Sequence, residues 1–128
     1  MKRSIFFLIA AILAGIFGTM MFFAPSKAAE GFEMISTPET TILFRALGAM
    51  ILSTGIMNFL VRNHNDNITL KAVLLTNVIT HGLSITADLW AVVDGVLAIS
   101  KAAPGQITHL FVAIGSLIYL MKIKTTHS

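Results

Sequence analysis

The feature that most constrains this chain is an uninterrupted apolar run, "IFFLIAAILAGIFGTMMFF", from Ile5 to Phe23. A helix of about 20 apolar residues crosses the hydrocarbon core of a bilayer, so the run predicts a membrane-spanning helix. The whole chain agrees with this, because 55% of its residues are apolar and only 12% are charged. Soluble domains average about 25% charged residues, so we expect lipid rather than water to be the solvent.

Three further stretches are candidate spans, at residues 41–61, 70–93 and 106–123, and the last of them is rather short. With the first run, over residues 5–23, they make four spans within a single domain, 1–128. We therefore predict an all-α integral membrane protein that forms an antiparallel four-helix bundle.

The links between the spans contain residues that begin and end helices. Thr37-Pro38-Glu39 predicts a helix N-terminus, with a capping threonine, a first-turn proline and a first-turn acid. The pair Pro104-Gly105 predicts a turn before the fourth span.

The cations predict how the spans are oriented. Two of them, Lys27 and Lys101, fall on one side of four spans, and six fall on the other: Lys2, Arg3, Arg62, Lys71, Lys122 and Lys124. Cytoplasmic loops carry the excess of Lys and Arg, so both termini are predicted to be cytoplasmic. The first span also resembles a secretory signal followed by a cleavage site at residues 26–28. Because its apolar run is long for a signal, we expect it to be retained.

Small residues form seams on the first two spans, at Ala10, Ala14 and Gly18 and at Gly48 and Gly55. Such seams let transmembrane helices approach closely. We expect them to pack within the chain, and a homo-oligomer interface is the alternative.

The third span carries a polar stripe within the segment "NVITHGLSITADLW". At about 100° per residue, Asn77, His81, Ser84 and Asp88 fall within an arc of about 60°. Hydrocarbon does not tolerate such a stripe, so it is predicted to face the inside of the bundle.

Neighbours for the stripe follow from depth in the membrane. Arg45 on the second span lies level with Asp88, and pairing would remove much of the cost of burying either charge. His109 lies on the face of the fourth span that meets the stripe, and Asn58 is predicted to meet Asn77. The predicted outward-opening pocket is lined by ligand-binding residues Arg45, Asn77, His81, Ser84, Asp88 and His109. The alternative is that these residues form a polar network whose only role is to stabilise the bundle.

Several chemistries are disfavoured. The chain has no cysteine, which excludes disulfides and thiolate sites. His81 and Asp88 are too far apart on one helix to bind one metal ion by themselves, and with Ser84 they do not make a catalytic triad. No phosphate-binding loop is present, and the cations fit membrane orientation rather than nucleic acid. We expect no metal, no nucleic-acid partner and no catalytic residue, and the sequence identifies no cofactor.

The second span, "RALGAMILSTGIMNFL", with Arg45, Gly48 and Gly55 and a polar third span, resembles the DoxX-like group of small bacterial membrane proteins. The resemblance covers most of the chain and implies a four-helix bundle in the bacterial inner membrane. Members have been linked to quinone-coupled oxidation as accessory subunits, and distant eukaryotic relatives act as membrane chaperones or cargo receptors. The redox-linked cysteines of some relatives are absent here.

Three functions follow as hypotheses. The first is a non-enzymatic protein whose pocket binds a small or lipidic ligand or a partner subunit. The second is a small oligomeric transporter or channel that uses the stripe, and the third is an accessory subunit of a quinone-linked oxidoreductase. The expected partners are the lipid bilayer and a homo-oligomer or larger membrane complex.

Overall fold

Over Met1–Ile123, the residues that the computed structural model describes, the chain forms five helices and no strand. They are α1 (Arg3–Phe23), α2 (Pro25–Gly31), α3 (Pro38–Val61), α4 (Ile68–Val93) and α5 (Ile99–Lys122). All except α2 are long and apolar enough to cross a membrane, which indicates a multi-pass membrane protein. The predicted cytoplasmic cation Lys124 lies outside the described residues.

The predicted start of α3 is confirmed. The hydroxyl of Thr37 accepts a hydrogen bond from the Thr40 backbone N–H at 3.2 Å, and the Thr40 hydroxyl accepts one from the Thr37 N–H at 2.7 Å. Pro38 opens the helix and Glu39 lies in its first turn. These contacts occupy backbone donors that have no partner inside the helix.

The predicted turn at Pro104-Gly105 is wrong, because α5 begins at Ile99 and continues through Pro104. A proline removes one N–H donor, which here would have bonded the Ser100 carbonyl. The turn before the proline is also helical, and its Ala102 is buried, at 4% exposure. The fourth span therefore has two additional turns, and its polar residues lie well inside the helix.

The chain divides into two compact units, one of Phe7–Leu60 and one of Met1–Phe6 with the chain from Val61 onward. In the Phe7–Leu60 unit, α1 and α3 approach at their small residues. A Cβ atom on Gly48 would lie 2.5 Å from the Phe22 backbone nitrogen and 2.8 Å from the Gly18 carbonyl oxygen. The expected packing of the seam within the chain is confirmed.

The short helix α2, which the sequence pattern does not predict, also belongs to the Phe7–Leu60 unit. Ala28 and Ala29 are buried against Phe44, and the rings of Phe32 and Phe44 lie 5.9 Å apart. Pro25 suits the first position of a helix, where its missing N–H costs nothing.

In the other unit, α4 packs against α5, and the first residues of the chain join them. Phe6 is fully buried, with its ring 5.6 Å from that of Phe111 and 5.2 Å from that of Tyr119. The Tyr119 hydroxyl donates a hydrogen bond of 2.6 Å to the Met1 carbonyl. Arg3 forms an ion pair with Asp66 in the link before α4.

Candidate functional site

Two residues of the polar stripe of α4, His81 and Asp88, contact α5. The Asn67 side chain accepts a hydrogen bond from the Leu70 N–H at 2.8 Å and so caps the start of α4. Beyond it, Asn77 is fully buried, and His81 and Asp88 are half-buried and contact α5. Residues that recur every three or four positions share one face of a helix, which explains why one neighbouring helix meets them.

His81 and His109 are hydrogen-bonded near the midpoints of α4 and α5. Their Nδ1 atoms lie 2.8 Å apart, and their ring centroids are separated by 5.1 Å. A neutral imidazole has one donating and one accepting nitrogen. A contact between two Nδ1 atoms therefore requires that one ring donate and the other accept, and the pair can hold and pass a proton.

Asp88 is held from α5 by Gln106, whose Nε2 donates a hydrogen bond of 2.8 Å to Oδ2 of the carboxylate. The same oxygen lies 3.9 Å from Nε2 of His109. The Asp88 side chain is 33% exposed and that of His109 is 26% exposed. A carboxylate accepts at about four lone-pair positions, so Asp88 has the capacity for a further donor.

The remaining predicted site residues have other surroundings. The Ser84 hydroxyl donates to the Thr80 carbonyl at 3.0 Å, within its own helix. Arg45 is an exposed residue of α3, in the Phe7–Leu60 unit, and its pair with Asp88 stays a prediction. Asn58 and Asn77 are both buried, and their meeting also stays a prediction.

The site prediction omitted Gln106, although a signal for it was present. Gln106 precedes His109 by three residues and so shares its helix face. Farther along that face, Ser116 is fully buried, and its hydroxyl has no hydrogen-bond partner among residues 1–123. We call His81, Asp88, Gln106 and His109 the α4–α5 polar cluster.

The chemistry open to the α4–α5 polar cluster is hydrogen bonding and proton transfer. Within the described part of the chain, no group of three His, Cys, Asp or Glu side chains is arranged to hold a metal ion. The cluster combines one carboxylate, one amide and two imidazoles, which makes it able to accept from a cationic donor.

No protein-family model, curated protein or solved structure matches the chain. The resemblance to the DoxX-like group therefore stays a prediction.

Proposed function

We propose that this chain is a multi-pass protein of a bacterial inner membrane that binds a small cation with N–H groups at the α4–α5 polar cluster. In this proposal, the spans form an antiparallel bundle with both termini in the cytoplasm. The observation that carries it is the Asp88 carboxylate, which lies in a candidate span, is partly exposed and accepts from Gln106.

The charge of Asp88 favours a functional role over a purely structural one. An aspartate costs about 3 kcal/mol at the centre of a membrane helix, which is an upper limit for Asp88 because it lies five residues before the end of α4. An interhelical hydrogen bond such as that from Gln106 returns less than about 2 kcal/mol. The hydrogen bond from Gln106 needs an acceptor but no charge, whereas a bound cation is stabilised by the negative charge of the carboxylate.

The charge of the cluster indicates the class of ligand. Its acceptor with a full negative charge is Asp88, and Gln106 occupies one of its lone-pair positions. An N–H donor that carries positive charge forms a shorter and stronger hydrogen bond with a carboxylate than a neutral donor does. We therefore infer a small organic amine or guanidine.

We expect the purified full chain to bind benzylguanidinium in a calorimetric titration. Asp88→Asn should weaken this binding about tenfold or more, because a hydrogen bond between charged groups contributes about 1.5–3 kcal/mol. The control Asp94→Asn removes an exposed carboxylate at the end of α4 and should leave the affinity unchanged. Benzyltrimethylammonium, which has the same charge without N–H groups, should bind more weakly. Equal affinities of the Asp88→Asn variant and the wild type would refute the site.

A further inference from the structure

The two imidazoles and the carboxylate of the α4–α5 polar cluster form a chain of contacts, with His109 between His81 and Asp88. Nδ1 of His109 lies 2.8 Å from Nδ1 of His81, and Nε2 of the same ring lies 3.9 Å from Oδ2 of Asp88. His109 therefore connects a group on each side of its ring. We propose that His81, His109 and Asp88 form a proton relay that exchanges a proton for the bound cation, an inference that rests on the proposed function.

The carboxylate determines which nitrogen of His109 carries the proton. A negative charge beside Nε2 favours an N–H at that position, which leaves Nδ1 of His109 as the acceptor in the neutral ring. His81 then donates from its own Nδ1 across the 2.8 Å contact. Nε2 of His81 is left as the nitrogen that can take up a proton.

Proton transfer along this chain of contacts balances at each step. A proton that binds Nε2 of His81 makes that ring an imidazolium, which passes its Nδ1 proton to Nδ1 of His109. His109, now charged, gives its Nε2 proton to Oδ2 of Asp88 after a side-chain movement of about 1 Å brings the two atoms to hydrogen-bonding distance. Both histidines end neutral, His81 with its proton on Nε2 and His109 with its proton on Nδ1. Asp88 ends as a neutral carboxylic acid.

Protonation of Asp88 removes the charge that binds the cation, so the proton and the cation compete for one carboxylate. One proton is then exchanged for one singly charged cation. From His81 to Asp88 the relay advances about 10 Å along α4, at about 1.5 Å per residue. It begins near the midpoint of the helix and leads towards one of its ends.

Other charged side chains of this unit lie towards the ends of α4 and α5 and in the links between helices, where Asp94 follows α4. The remaining ionisable side chains of α4 and α5 lie near helix ends, at Lys71, Lys101, Tyr119 and Lys122. At the start of the chain, the ionisable side chains are Lys2 and Arg3, and Arg3 forms an ion pair with Asp66. We assign the proton exchange to His81, His109 and Asp88 because they contact one another.

We expect proteoliposomes that contain the full chain, in weakly buffered medium with an external pH dye, to release protons when benzylguanidinium is added, because the cation displaces the proton from Asp88. This probe stays charged at neutral pH, so it does not cross the bilayer as a free base. His81→Gln and His109→Gln should each slow the exchange about tenfold or more, because an amide cannot take over proton transfer by imidazole. Thr86→Val, whose hydroxyl bonds only within α4 in the native chain, is the matched control and should keep the wild-type rate.

Binding of benzylguanidinium, measured in parallel, separates the two proposals. If His81→Gln and His109→Gln both bind benzylguanidinium and exchange protons at the wild-type rate, the relay is wrong. The proposed binding site is then still supported. Absence of binding to the wild type overturns the proposed function. In that case ¹⁵N spectra of histidine-labelled protein in bilayers decide on the relay. It requires the Nδ1–H form of one histidine together with the Nε2–H form of the other. Two Nε2–H forms, which leave no proton between the two Nδ1 atoms, refute it.

Discussion

Replacing Gly48 with alanine is expected to destabilise the protein by about 3 kcal/mol, the upper end of the range for overpacked sites. The added Cβ would lie 2.5 Å from the Phe22 nitrogen and 2.8 Å from the Gly18 carbonyl oxygen. Both neighbours are backbone atoms, so α1 as a whole has to move away from α3. The change is measurable as the free energy of unfolding in mixed micelles.

Gly15→Ala is the matched control, since Gly15 lies in α1 and a Cβ on it meets no atom within 4 Å. It should keep the wild-type stability or raise it by up to about 1 kcal/mol, because alanine favours helix more than glycine does. Equal effects of the two substitutions on the free energy of unfolding would contradict the close approach of α1 and α3.

The second large effect is expected from leucine at both His81 and His109. Each single substitution should cost about 1–3 kcal/mol, because it leaves a polar nitrogen of the other ring without its partner. The double variant removes both polar groups and should recover most of that stability. At the same time it should lose the proton exchange, since neither leucine carries a proton.

A double-mutant cycle of unfolding free energies, together with the exchange assay, tests this expectation. Destabilisations that simply add would show that the two rings do not interact. A double variant that is stable and still exchanges protons would show that the histidine pair is structural. The combination of recovered stability and lost exchange supports a functional pair.

The spans could be predicted because each depends on local sequence. An apolar run of bilayer length is visible without any knowledge of its neighbours, and so is the start of α3 at Thr37 and Pro38. Helix α2 could not be predicted in this way. It has seven residues, too few to be stable alone, and it is held by burial of Ala28 and Ala29 against Phe44.

The polar stripe of α4 could also be predicted, because the helical repeat alone brings Asn77, His81 and Asp88 to one face. Their partners could be predicted only in part. The predicted face of the fourth span does bring His109 to His81, but the hydrogen bond to Asp88 comes from Gln106. That choice depends on the axial register of α4 and α5, which sequence periodicity does not determine.

The most direct test of the site at Asp88 is labelling in the bilayer by an apolar carbodiimide, which reacts with protonated carboxyl groups. If Asp88 exchanges a proton for a cation, mass spectrometry should find the label on Asp88, and benzylguanidinium should prevent the labelling. Labelling of Asp94, which is exposed, is the internal comparison, because benzylguanidinium should leave it unchanged. Absence of label from Asp88, or labelling that benzylguanidinium leaves unchanged, would contradict the account.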